Sequence, residues 1–306
     1  MLLHTICGKP DIELRNSIVI DLLDKDVLLP FSFKSANIRG KILRLSETSC
    51  ELLEKFSTGV DNVDKVFLDC LALSQLISSN FKFDGTFKLQ LNSYDGIIKV
   101  ILCDNKINGE MRAFMSLNEG VDTKNGNPTF KEIVGSDSAM IFHMFMKDAK
   151  QPYQAIVNLE GDSLSNCAEN WFAMSEQLQT YIKIYSNVEN KTTSALFFQK
   201  IPNAYATDEQ KEEDEEVFNT FKILANAVSD EEMLNDNLSD ILYNAYHEFD
   251  VEIYDKIPIS YKCTCSHEAI EGVIAAMPKE EQESIRAEND GHIKVSCSFC
   301  GKEYLF

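Results

Sequence analysis

Four cysteines among the last 44 residues constrain this chain more than anything else in it. Cys263 and Cys265 stand in KCTCSH, and Cys297 and Cys300 in SCSFCGKEYLF. The first pair is spaced C-x-C, the second C-x-x-C, with 31 residues between them. Two close pairs joined by one loop is the spacing that closes four thiolates around one tetrahedral Zn2+ ion. Gly301 follows the second pair, where a knuckle turning its backbone amides toward the sulfurs needs a positive φ. Four unrelated thiols in a compact tail would not account for the pairing. His267 and His292 are alternative ligands by position, but four thiolates already complete the tetrahedron.

Such a site is either a structural staple or a sensor. Metal keeps a cysteine deprotonated at neutral pH, and the thiolate is the form an oxidant attacks. Oxidation would remove the ligands and, with them, the folding energy that metal binding supplied. Spacing alone favours the staple. The less usual C-x-C pair keeps the sensor open.

Charge narrows the partners. Formal net charge is −20 over 306 residues. Nucleic acid requires a basic face, and anionic lipid requires basic clusters, so the charge argues against both as partners. No stretch is apolar for long enough to span a bilayer. The N-terminal MLLHTICGKPDIELRN has too short an apolar run for a secretory signal. The chain is therefore expected to be cytoplasmic, with reduced thiols at rest. Cys7, Cys50, Cys70, Cys103 and Cys167 are scattered among apolar neighbours and read as small buried hydrophobes.

Residues 17–45 read as strands, including Ser17 to Leu23. Ser46 is placed to cap a helix from Glu47, and Asp61 to Ser79 reads as a strongly apolar helix. Turns at Asp84-Gly85, Asp95-Gly96 and Asn108-Gly109 predict an antiparallel meander. Residues 120–138 read as loop, and 139–146 and 153–159 as two further strands. His143, on the first of these, has no catalytic partner placed by the sequence and reads as a sheet histidine. A helix follows, with Leu164, Cys167, Trp171 and Met174 on one face. Strands at TYIKIYSNV and NKTTSALFFQKIPNA close the core.

Composition shifts at Thr207. Thr207 to Gln210 and Ser229 to Glu232 are capping-box patterns. Phe218, Phe221, Leu224 and Val228 form one apolar stripe; Leu238, Ile241, Leu242, Ala245 and Phe249 form another. Residues 207–252 contain 15 acidic and 2 basic side chains, a net of −13. Helices so charged repel themselves, and only a stripe packed on another surface would hold them. They are either a solvated hairpin or a segment that folds conditionally. In the tail, Ile270, Val273, Ile274 and Met277 point inward from a helix over 266–277. Pro278 opens a second helix, and HIKVS pairs with KEYLF. The fold class is α+β, in three parts: an antiparallel-sheet core with packed helices over 1–205, an acidic helical linker over 206–257, and a small four-cysteine zinc domain over 258–306.

The chain resembles the redox-regulated chaperones of the heat-shock protein 33 family. The resemblance is carried by NIRGKILRLSET, FKFDGTFKLQL, YDGIIKVILC, LEGDSLSNCAENWFAMSEQL, both cysteine pairs and the GKEYLF terminus. It implies that Cys263, Cys265, Cys297 and Cys300 bind one zinc ion in a reduced, inactive state. It implies that oxidation forms Cys263–Cys265 and Cys297–Cys300 disulfides, releases zinc and unfolds the tail and linker. It further implies an ATP-independent holdase that binds unfolding client proteins, and a homodimer when oxidised. The competing readings are weaker. A thiol oxidoreductase wants its C-x-x-C at a helix start beside a βαβ unit, and a zinc hydrolase needs an open metal position. The protein is not expected to be an enzyme. A constitutive zinc-stapled adaptor that binds other proteins is the remaining alternative.

Overall fold

A computed structural model describes residues 24–81, 85–121, 126–147, 149, 151–289 and 291–306. Cys7 and the strand expected at Ser17 to Leu23 lie outside the described residues, as does Asp84. The fold is α+β, and its described part divides into a large unit ending at Ser260 and a small one, Tyr261–Phe306.

The large unit runs β1 (Val27–Phe33), β2 (Ile38–Leu45), α1 (Glu47–Phe56), α2 (Asp61–Ser78), β3 (Gly85–Ser93), β4 (Ile98–Lys106) and β5 (Glu110–Leu117). It continues with α3 (Phe130–Val134), β6 (Ser138–Met146), β7 (Tyr153–Asn158), α4 (Leu164–Ser175), β8 (Thr180–Asn187) and β9 (Thr192–Lys200). The acidic stretch supplies α5 (Asp208–Ala227), α6 (Asp230–Asn235), α7 (Leu238–Tyr246), β10 (Val251–Ile253) and β11 (Ile257–Pro258). β12 (Ser260–Tyr261) stands at the joint with the small unit.

Two antiparallel sheets form the core. One has the order β10-β1-β2-β9-β8, with β11 also on β1; the other contains β5-β4-β3-β6-β7. Helix α2 packs against strands of both. Its buried residues go all the way round the helix, from Val63 and Phe67 to Leu76 and Ile77, as expected of a helix with no solvent face. The turns at 94–97 and 107–109 are the hairpins expected from Asp95-Gly96 and Asn108-Gly109. Asp95 does more than turn the chain. Its carboxylate accepts bonds from the Ser136 hydroxyl and the amides of Ser136 and Asp137, and the Ser136 bond is the chief reason its pKa is lowered.

Several local expectations are corrected. Residues 120–138 are not all loop, because Thr129 and Glu132 form a reciprocal capping box that starts α3. Ser46 precedes α1 but does not cap it with its side chain. Asp26 does so from the start of β1, accepting from Ser46 N at 2.9 Å and Thr48 N at 3.2 Å. Met174 is 83% exposed, outside the face formed by Leu164, Cys167 and Trp171, one residue before α4 ends at Ser175.

The acidic helices lie on the β1-β2-β9-β8 sheet. Phe31, Phe33, Ile38, Leu196 and Phe198 share a buried cluster with Phe218, Phe221, Val228, Leu238 and Tyr246. Alternation in β1 sends residues 27, 29, 31 and 33 to this face. Phe221 meets Phe33 edge-on at 4.4 Å and stacks on Tyr246 at 5.1 Å. Both capping boxes read from the sequence are present. Arg44 adds polar anchorage. Its Nη2 donates to Met233 O at 2.7 Å and Asp236 O at 2.6 Å, two carbonyls at the C-terminal end of α6.

The small unit contains α8 (His267–Ala275), α9 (Lys279–Glu288), β13 (Lys294–Ser296) and β14 (Glu303–Leu305). Its buried apolar side chains are Ile274, Ile293 and Tyr304. Ile270 and Met277 are half-buried, but Val273, expected inward, is 65% exposed. Adjacent positions on a helix point about 100° apart, so the face that buries Ile274 leaves Val273 outward. Pro278 caps α9 rather than entering it. Three buried side chains are too few for a core to hold such a unit, which needs a staple.

Candidate metal centre

Two pieces of backbone place the sulfurs, one for each pair. Cys263 and Cys265 lie in the segment between β12 and α8, whose start is capped by Ser266 through the Ala269 amide. Cys297 and Cys300 bracket the turn between β13 and β14, which pair Ser296 with Glu303. That turn closes through Gly301 N to Cys297 O at 2.8 Å and Cys297 N to Lys302 O at 2.9 Å. Gly301 has φ +72°, a conformation that favours glycine. Tyr261 tethers the two halves, donating its hydroxyl to Phe299 O at 3.1 Å.

The four sulfurs all lie within 4.8 Å of one another. Cys263 Sγ is 3.7 Å from Cys297 Sγ, and Cys265 Sγ is 3.4 Å from Cys300 Sγ. Metal–sulfur bonds of about 2.3 Å in a tetrahedron require sulfur–sulfur edges of about 3.8 Å, so the cluster fits such an ion. A disulfide requires about 2.05 Å, and these four cysteines are free. His267 is not in the cluster; its ring lies 4.3 Å from that of Phe306.

The electrostatics favour a cation. Burial, with the neighbouring sulfurs, pushes the Cys263 thiol up and Cys300 up to about 12. Cys265 is lowered to about 7, chiefly because the Tyr304 hydroxyl donates to its sulfur at 3.1 Å. Backbone amides assist, that of Cys265 toward Cys263 and that of Lys302 toward Cys300. Four thiolates packed this closely repel one another, and a bound cation removes that repulsion.

Tyr304 was not legible as part of the site. The signal was the alternation of EYL in β14, which turns Tyr304 inward opposite Val295. The other cysteines contrast with the cluster. Cys70, Cys103 and Cys167 are free and buried, whereas Cys50, buried on α1, is disulfide-bonded, which corrects its reading as a reduced thiol. Burial pushes Cys103 up to about 12 and Cys167 up to about 11, so these thiols are unreactive.

Comparison with known proteins agrees along the chain. A family model described as Hsp33 protein matches residues 26–306. The "33 kDa chaperonin" of Salmonella paratyphi A is 31% identical, with 92% of each chain covered. That of Escherichia coli (strain SMS-3-5 / SECEC) is also 31% identical, again with 92% of each covered. The solved structure of the Thermotoga maritima 33 kDa chaperonin, heat shock protein 33 homolog, shares the fold with a TM-score of 0.74 at 17% identity. It covers 92% of this chain and 95% of its own. This chain belongs to the heat-shock protein 33 family, whose members named here are 33 kDa chaperonins.

Proposed function

We propose that this protein is a redox-regulated, ATP-independent holdase chaperone of the cytoplasm, inactive while reduced and zinc-bound. The observation that carries the reading is the closed four-sulfur cluster in a unit with so little core. Cys263, Cys265, Cys297 and Cys300 would hold the ion. When bound, zinc would supply the cross-link that the small unit lacks. Residues 258–306 are then the switch, 206–257 the conditional linker, and 1–205 the core that receives clients.

The chemistry of release belongs to the thiolates. Each pair, Cys263 with Cys265 and Cys297 with Cys300, gives two electrons to peroxide and forms one S–S bond. The oxidant is reduced to water or hydroxide. Sulfurs joined in this way no longer offer thiolate ligands, and the small unit loses its staple. The linker, with its net charge of −13, then depends on its apolar stripe alone and detaches. Phe33 and Phe198 on the core and Phe221 on the linker lose their mutual cover and become apolar surface for unfolding proteins. The oxidised form is proposed to dimerise.

Metal content and aggregation suppression, measured together before and after peroxide at mild heat, test this. About one zinc should leave per chain as suppression appears. A variant with all four cysteines changed to Ser that responds to oxidant like wild type would sink the reading. Zinc loss without any gain in suppression would leave the constitutive adaptor.

A further inference from the structure

The large unit contains a cavity of about 770 Å³ between β1, β2 and the C-terminal end of α2. Volumes of about 300–1,000 Å³ are usual for small-molecule sites. Its composition is unlike the rest of the chain. Lys34, Arg39, Lys41 and Lys106 line it, and no aspartate or glutamate among the described residues does. The whole chain carries 49 acidic against 29 basic residues.

Lys41 is a buried residue of the lining. It is 8% exposed. Its Nζ donates to Ser79 Oγ at 2.6 Å, Asn80 Oδ1 at 2.7 Å and Leu76 O at 3.2 Å. All three acceptors are neutral, and burial drives its pKa well down. Arg39 nearby spends its guanidinium on the neutral Gln199 Oε1. Gln75, a third lining residue, is 3% exposed, and its Nε2 has no acceptor among the described residues. A buried ammonium without a counter-charge is costly, and the helix-end carbonyls offset only part of that cost. Among the described residues, the cavity thus offers two basic side chains without carboxylate partners and an unused amide donor. Facing them are apolar walls, including Phe81, Phe197, Ile107 and Ile201. Ile107, at 50% exposure, stands at the rim.

We propose that this cavity binds a single-chain anionic amphiphile, its head group at Lys41 and Arg39 and its alkyl chain along Phe81, Ile107 and Ile201. The head group is a carboxylate or a phosphate; both accept charge-assisted hydrogen bonds from these donors. The site is separate from the cysteine cluster, and its occupancy does not depend on the redox reading.

The test is calorimetric titration of the reduced full-length chain with decanoate, decyl phosphate, decanol and decyltrimethylammonium, each below its micelle concentration. One decanoate or one decyl phosphate should bind per chain, and the tighter of the two identifies the head group. Decanol and the cation should bind at least about tenfold more weakly. Lys41→Met should weaken the anion by about tenfold. Because that variant removes a helix-end contact, Ile107→Trp is the second arm. It fills the rim and should abolish binding while leaving the unfolding midpoint unchanged. Equal affinity for decanol and decanoate, unaltered binding in Ile107→Trp, or no saturable one-to-one binding of either anion would overturn the proposal. So would saturable binding of an apolar peptide where neither anion binds, since the cavity would then be a polypeptide groove.

Discussion

Tyr304 illustrates how much a single side chain contributes at the cysteine cluster. Its hydroxyl reaches Cys265 Sγ at 3.1 Å, and groups that hydrogen-bond to metal ligands commonly tune affinity about 10–100-fold. Tyr304→Phe removes no ligand. It is predicted to keep one metal ion per chain but to surrender it to a competing chelator at about tenfold lower chelator concentration. An unchanged competition curve would show that the phenol only packs. Gly40 gives a second prediction. A Cβ there would meet the Phe31 ring at 2.2 Å, and Phe31 lies opposite it in register. Gly40→Ala should destabilise the reduced chain by about 1–3 kcal/mol through overpacking, read from the urea midpoint at constant slope.

The decisive element is the linker. Its attachments include side-chain bonds such as Tyr185 Oη to Ala225 O, the apolar stripe, the Arg44 clamp on the end of α6, and the strands β10 and β11 on the edge of β1. Gly109 permits the last of these, since Pro258 O lies where its Cβ would be and Ser260 N donates to its carbonyl. Apolar contact dominates, because the polar bonds replace bonds to water at modest net gain. Phe221→Ala should cost about 3–5 kcal/mol. The proposed function then requires aggregation suppression by the reduced variant with its metal still bound, a state in which wild type is inactive. Thr207→Ala removes a capping box and should cost only about 1 kcal/mol. It should lower the oxidant dose for half-activation without activating the protein alone.

At the scale of the whole molecule, charge opposes the resting state. The linker's net of −13 is most of the chain's −20, and screening shortens the range of that repulsion to about 3 Å at 1 M salt. Higher ionic strength should therefore hold the linker down. The oxidant dose for half-activation is expected to rise between 0.05 M and 0.5 M sodium chloride. A dose that falls or stays fixed would remove self-repulsion from the account.

The sequence by itself determined what depends on fixed offsets along the chain. The C-x-C and C-x-x-C pairs, the Thr207 and Ser229 capping boxes, the glycine turns and the period of the linker stripes all follow from local geometry, which repeats wherever the residues do. Even the missed helix α3 carried such a signal in Thr129 and Glu132. Only the tertiary structure decided the contacts between distant residues. Asp26 caps α1 in place of Ser46, Tyr304 reaches Cys265, Arg44 holds the end of α6, and Lys41 lines a cavity with no acid among the described residues. None of these pairings has a characteristic spacing. Each exists because packed sheets and helices bring together groups whose separation in sequence carries no information about their separation in space.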